Sequence, residues 1–249
     1  MSKQFPNLKT VVVMPAYNAE KTLERTVNAI PRQYVDDIIV VDDASRDGTV
    51  AIANKLGLKI FVHDKNLGYG GNQKTCYKEA LRMRADIAVM VHPDFQYDPS
   101  FIPEMINLLA SADCDAVFGS RMLIKKNALV GSMPYWKFIA NIILTKLENF
   151  ILKLNISEYH SGFRAYNKKV MRLPLELNSD DFVFDTEIIV QMKIAGLKIK
   201  EIPISTRYFP EASMIGFLKS SKYGMGILNV LKKYILYKFK LIDYKQFHV

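Results

Sequence analysis

The feature that most constrains this chain is an alternation. Apolar runs of strand length alternate with segments of helical period: Thr10–Met14 and a helix near Ala19–Ile30, Asp37–Val41 and a helix near Thr49–Leu56, Lys59–Val62 and a helix near Gly71–Arg84. The rhythm continues with Ile87–Val91, a helix near Pro103–Ala112, and Ala116–Gly119. Continuously apolar strands are buried on both faces, so the pattern predicts an α/β fold whose largely parallel sheet is covered by helices. After Arg121 the rhythm is lost. Residues Ile124–Ser132 read as a loop, Tyr135–Leu154 as a long amphipathic helix and Gly162–Tyr166 as a strand. Asp185–Ala195 reads as a helix closed by Gly196, and Lys198–Tyr208 as a strand stopped by Pro210. No Gly/Ser-rich or Pro-rich linker interrupts the 249 residues, so the chain reads as one domain over 1–213 with a helical tail over 214–249.

Composition narrows the function classes. With 49% apolar residues the chain can bury a sizeable core. The two cysteines, Cys76 and Cys114, have neither CxxC nor His spacing around them, which argues against a disulfide framework and a zinc site. The N-terminus lacks the apolar segment of a secretory signal, and no run approaches the ~18 apolar residues of a membrane span, so the cytoplasm is the expected location. The formal charge of +9 is concentrated in the tail, where seven lysines against Asp243 give +6. There Tyr223, Ile227, Leu228, Leu231, Tyr234, Ile235 and Phe239 are interleaved with lysines, a pattern suited to an anionic membrane surface and equally to packing on the protein's own core.

Ligands of an open parallel sheet sit beyond the carboxyl ends of its strands, and four predicted strands end in polar residues. The first runs into Pro15-Ala16-Tyr17-Asn18 and the second into Asp42-Asp43-Ala44-Ser45. The fourth runs into His92-Pro93-Asp94-Phe95-Gln96, the fifth into Gly119-Ser120-Arg121. Adjacent carboxylates at Asp42 and Asp43 can accept from a base N–H and from ribose hydroxyls, whereas turn chemistry alone accounts for Asp47 and Gly48. Glycines 68, 70 and 71 permit a tight turn or a close backbone approach, but match neither the dinucleotide nor the P-loop spacing. His92, Asp94 and Gln96 place imidazole, carboxylate and amide donors where they can share a divalent cation, with Mn²⁺ tolerating the imidazole better than Mg²⁺. Arg121, Lys125, Lys126 and Arg164 are candidate phosphate ligands.

Seven motifs in order resemble the inverting family 2 glycosyltransferases, and within them the dolichyl- and polyprenyl-phosphate sugar (mannose) synthases. They are Met14–Asn18, Val41–Thr49, Asn66–Gly70, Asp94–Gln96, Gly119–Arg121, Ser161–Arg164 and Glu201–Ile204. The likeness covers roughly residues 9–208. It implies a GT-A-type nucleotide-binding fold and a nucleotide diphosphate sugar donor. Pro15, Tyr17, Asn18, Asp42, Asp43 and Gly68 fall on the nucleotide side; Asp94, with His92 and Gln96, holds a cation, Mn²⁺ or Mg²⁺, and the diphosphate; Arg121 and Arg164 face phosphates. Two positions depart from the family: His92 occupies the first place of the usual Asp-x-Asp, and the basic Arg-x-x-Gly-x-Ser-Lys ending appears as Arg207–Ser213.

A polyprenyl phosphate is the expected acceptor, which needs no strong base because a phosphate monoester with second pKa ~6 is already largely dianionic. That acceptor implies contact with the cytoplasmic face of a membrane. A sugar hydroxyl is the alternative and requires a base, for which Asp185 and Glu187 are candidates. A further alternative is a metal-impaired nucleotide-sugar-binding relative. A nucleotidyltransferase is disfavoured, since its Gly- and Lys/Arg-rich loop is missing between Pro15 and Glu20. Nucleic acid is not an expected partner.

Overall fold

β1 (Thr10–Ala16) is buried along its whole length, with Val11 and Val13 facing one core and Val12 and Met14 the other. In the computed structural model, which describes residues 7–124, 133–207 and 217–249, it is the third strand from one edge of a seven-stranded sheet. The other strands are β2 (Asp37–Asp42), β3 (Lys59–Val62), β4 (Ile87–Met90), β5 (Ala116–Ser120), β6 (Arg164–Asn167) and β7 (Ile199–Pro203), in the spatial order β3-β2-β1-β4-β6-β5-β7. Only β6 runs against its neighbours β4 and β5; the remaining pairs are parallel.

Helices cover both faces. On one, α1 (Leu23–Asn28) and α4 (Ile102–Ala110) bury Leu23, Val27, Ile102, Met105 and Ile106. On the other, α3 (Gly68–Arg82) and α7 (Phe184–Ile194) bury Tyr77, Ala80, Phe184, Ile188 and Ile189. The short α2 (Thr49–Lys55) and α6 (Lys168–Met171) fill connections, while α5 (Tyr135–Leu152) and α8 (Phe217–Lys238) pack on each other, and α8 also packs on α7. The expected elements are therefore present with shifted ends. β7 stops at Pro203, and Thr206 makes only an isolated bridge to Tyr97, because the chain there crosses toward the β4 loop.

The tail is not a separate appendage within the described residues. Ile227, Val230, Leu231 and Tyr234 are buried in the same core as Phe184 and Tyr166, whereas Met225, Leu228, Ile235 and Phe239 stay exposed. The boundary placed after residue 213, the loop over 125–132 with Lys125 and Lys126, and residues 208–213 of the Arg207–Ser213 motif lie outside the described residues.

Candidate active site

The chain leaves β1 for β2 and β3 on one side and returns to β4 on the other, so the loops after β1 and β4 part from each other. A cleft of about 640 Å³ opens there. Its floor is the end of β1 and the residues after it, Pro15 to Ala19, and the segment after β4, with His92, Pro93, Asp94, Gln96 and Tyr97.

One wall is held by main-chain hydrogen bonds. Asn18, at φ 51°, donates its N–H to Ser45 Oγ (2.8 Å) and accepts from the Arg46 N–H (2.9 Å), tying the loop after β1 to the loop after β2. Asp43 accepts from Leu67 N–H (2.8 Å) and Gly68 N–H (3.0 Å), with His63 Nδ1 at 2.8 Å. Gly68 needs to be glycine: its φ is +87°, and a Cβ would lie 2.7 Å from the Asp180 carbonyl oxygen. Tyr17 leaves about half of its surface open over this wall.

The adjacent carboxylates are placed differently. Asp43 lines the cleft, while Asp42 is fully buried outside it and accepts from Ser45 N–H (2.9 Å). Successive side chains along a strand point to opposite faces, which sends Asp42 and Asp43 to different sides as the chain leaves β2.

Asp94 follows β4 and accepts the Gln96 N–H at 3.0 Å, a tight turn in which Phe95 takes φ 56°. Burial pushes its carboxyl above the ordinary aspartate range, with His92 and the Gln96 N–H pulling the other way. The His92 ring is half-buried and stacked on Tyr69 with centroids 5.6 Å apart; desolvation lowers its pKa, against Asp94 and Asp185. Its Nε2 has no hydrogen-bond partner among the described residues. No three His, Cys, Asp or Glu side chains among those residues gather around one point. One carboxylate with an imidazole and an amide nearby fits a hard cation that takes most of its oxygens from a bound diphosphate and water.

The opposite wall comes from the second half of the chain. Arg121, after β5, donates its backbone N–H (2.7 Å) and Nε–H (2.8 Å) to the Glu158 carboxylate, and Nη2 to Glu158 and to the His160 carbonyl (3.2 Å). Glu158 is buried and also accepts from Asn141 of α5 (2.9 Å). Burial pushes the Glu158 carboxyl up, but the charge and bonds of Arg121 outweigh it and hold the carboxyl below the ordinary glutamate range. Trp136, Lys137, Ala140 and Leu144 of α5 and Tyr223 of α8 complete the wall.

Two expected residues turn elsewhere. Arg164 is buried: it donates to the carbonyls of Ser161 (2.7 Å), Tyr159 (2.6 Å) and Asp185 (3.3 Å), and pairs with the Asp185 carboxylate at 3.4 Å. It therefore does not face a phosphate in the cleft but anchors Asp185, which does line it and accepts from Tyr69 Oη (2.9 Å). Glu187 accepts Ser179 N–H (2.6 Å) and is absent from the cleft, because residues two apart on a helix do not share a face. Glu158, Asn141 and Lys137 were not singled out in the sequence. The one signal for them is Asn141, Thr145 and Glu148 of α5, a buried helical stripe that is polar.

This geometry has known counterparts. The model of the family described as "Glycosyl transferase family 2" matches residues 11–173. An uncharacterized protein of Methanocaldococcus jannaschii is 32% identical over 198 residues, spanning 79% of this chain and 81% of its own. The UDP-N-acetylglucosamine–dolichyl-phosphate N-acetylglucosaminyltransferase of Methanococcus voltae is 30% identical over 215 residues, spanning 79% and 85%. Among solved structures, glucosyl-3-phosphoglycerate synthase from Mycobacterium tuberculosis in complex with Mn²⁺ and UDP-glucose is similar with a TM-score of 0.68 over 96% of this chain and 82% of that one; at 16% identity the likeness is one of GT-A fold. Fold, motif order and relatives agree that the chain belongs to glycosyl transferase family 2.

Proposed function

We propose that this glycosyltransferase moves a sugar from a nucleotide diphosphate donor to a polyprenyl phosphate, with inversion at the anomeric carbon. The observation that carries the reading is the asymmetry of the cleft, polar strand ends on one wall and an apolar wall with Arg121 and Lys137 on the other. On the polar wall Asp43 and the Pro15–Asn18 turn hold the nucleoside. Asp94, with His92 and Gln96 beside it, holds a divalent cation, which when bound neutralises the diphosphate. Arg121 stabilises phosphate charge across the cleft from a fixed position, since Glu158 leaves its guanidinium little freedom. The acceptor phosphate needs no base, and the side of α5 and α8 gives its isoprenoid chain an apolar path.

The same two helices support peripheral contact with the cytoplasmic face of an anionic membrane. α5 exposes Tyr135, Ile139, Ile143 and Phe150, and α8 exposes Met225, Leu228 and Ile235 beside Lys232 and Lys238, with Phe239 just past its end. No helix among the described residues is long and apolar enough to cross a membrane.

The name of the Methanococcus voltae relative suggests the first substrates to try. Full-length protein incubated with Mn²⁺, labelled UDP-N-acetylglucosamine or UDP-glucose and a polyprenyl phosphate is expected to give a lipid-extractable product with a β-linked sugar. Transfer to sugar hydroxyls and to no lipid phosphate would overturn the acceptor; Asp185 is then the base, as the one candidate carboxylate on the cleft.

A further inference from the structure

α5 is inverted relative to an ordinary surface helix: its buried stripe contains Asn141, Thr145 and Glu148, while several of its large apolar side chains are exposed. Asn141 answers Glu158 and through it Arg121. Seven residues further on, Glu148 has no exposed surface at all. Its Oε1 receives only a long bond from Thr186 Oγ1 (3.4 Å), and its Oε2 lies 3.1 Å from His160 Nε2, within ion-pair range but off hydrogen-bond alignment. A carboxylate taken out of water is tolerated where a cationic or donor partner answers it, and His160 is the one basic side chain paired with Glu148 among the described residues.

His160 lines the cleft, and its main-chain carbonyl accepts from Arg121. With Nε2 turned to Glu148, Nδ1 is the nitrogen left for a ligand, and no hydrogen bond among the described residues uses it. The imidazole is boxed in by the Tyr223 ring at 5.8 Å and the Tyr159 ring at 6.4 Å, so it is held rather than swinging in solvent. A buried acid behind an imidazole that faces a cleft fixes the ring's orientation, and in the imidazolium form, where both nitrogens are donors, Nδ1–H is the one left for a ligand.

Building on the acceptor reading above, we infer that His160, positioned from behind by Glu148, is a phosphate ligand on the acceptor side, next to Arg121. α5 then sets two substrate-facing groups from one face, Arg121 through Asn141 and Glu158, and His160 through Glu148.

The test is calorimetric binding to the full chain with Mn²⁺ present. The probes are farnesyl phosphate, farnesol as its uncharged counterpart, and UDP. His160→Gln is expected to weaken farnesyl phosphate about tenfold or more, the loss of one charge-assisted hydrogen bond, with farnesol and UDP unchanged. Glu148→Gln is expected to weaken the same probe less, and the double variant no more than His160→Gln alone, since Glu148 acts through the imidazole. Equal binding of farnesyl phosphate by the wild-type chain and His160→Gln overturns the inference, as does a loss shared equally with farnesol. A loss confined to UDP assigns the imidazole to the donor diphosphate and overturns the acceptor placement. The transfer assay separates the two readings: lipid-phosphate binding that depends on His160 without transfer sinks the proposed reaction and leaves this site standing. Transfer with no dependence on His160 does the reverse.

Discussion

The two walls of the cleft are built by opposite means. The donor wall is fastened through the main chain: amides of Leu67, Gly68 and Arg46 meet the side chains of Asp43 and Asn18 at the ends of parallel strands. The acceptor wall is fastened side chain to side chain, by the buried carboxylates Glu158 and Glu148 set against Arg121 and His160. A main-chain cradle follows from the sheet and needs little besides a turn and one acceptor. A wall of buried ion pairs depends on every partner, because removing one leaves a charge without its answer.

Asp94 stands between the walls, and its substitution is the largest expected effect. Asp94→Ala removes the only carboxylate among the three candidate cation ligands and is expected to lower kcat by about a thousandfold, the scale of several kcal/mol of lost electrostatic stabilisation. His92→Asp should retain transfer and shift the metal preference from Mn²⁺ toward Mg²⁺, because it replaces imidazole with oxygen. Steady-state rates across a metal series check both, and full Mn²⁺-dependent activity in Asp94→Ala would remove the residue from the mechanism.

Next in size is a direct probe of the main-chain wall. Asp43→Ala leaves the Leu67 amide unanswered and the Gly68 amide with Asn66 Oδ1 alone, as well as removing a nucleoside acceptor, and should weaken UDP binding by about 1–3 kcal/mol, roughly five- to 150-fold. Asp42→Ala, outside the cleft, should act on stability more than on UDP affinity. Calorimetry on both variants decides whether the two carboxylates divide the work as their positions relative to the cleft imply; equal losses of affinity would restore them as a pair.

A smaller effect is expected at the outer surface of the acceptor wall. Met225, Leu228, Lys232, Ile235 and Phe239 recur at three- and four-residue spacing and are all exposed. Cutting the chain at Ser213 is a poor test of this stripe, since it would also strip Ile227, Val230, Leu231 and Tyr234 from the core. Lys232→Ala with Lys238→Ala keeps the core and removes about 1 kcal/mol of attraction per lysine, roughly 30-fold in partition to anionic vesicles at low salt. Co-sedimentation unchanged by the double substitution, or undiminished by salt, would dissociate the stripe from the membrane.

The same contrast explains what the sequence disclosed. Strand-end motifs on the donor wall were legible because each is local: an apolar run, then Pro15–Asn18, Asp43 or Asp94 within a few residues. That Asp42 and Asp43 point to different sides is also readable in principle, from the alternation along β2. Glu158 and Arg121 are 37 positions apart, and nothing local marks Glu158 as the residue that clamps the arginine. Nothing local marks Arg164 as buried, because the groups that enclose it, the Tyr159 and Ser161 carbonyls and Asp185 of α7, are brought round it by the fold. The tail stripe was read as two alternatives, and the fold divides it: one side enters the core, the other stays out.

The smallest expected effect is one of slope, and it isolates the acceptor wall. Glu158 has its folded pKa lowered by Arg121 despite burial, so its contribution to stability is complete above the unfolded value near 4.5 and is lost as the pH falls through the folded value. Glu158→Gln removes the titration while keeping the shape and an acceptor oxygen for Asn141. It should therefore lower the melting temperature at neutral pH and flatten the fall of melting temperature below pH 4.5, relative to the wild-type chain. Asp43 offers the comparison, since its fastening is to two amides and His63 rather than to a guanidinium, and Asp43→Asn should show chiefly in UDP affinity. Melting curves from pH 7 downward for the two variants separate the walls, and an acid limb as steep in Glu158→Gln as in the wild-type chain would show that the Arg121 pair is not what holds the acceptor side together.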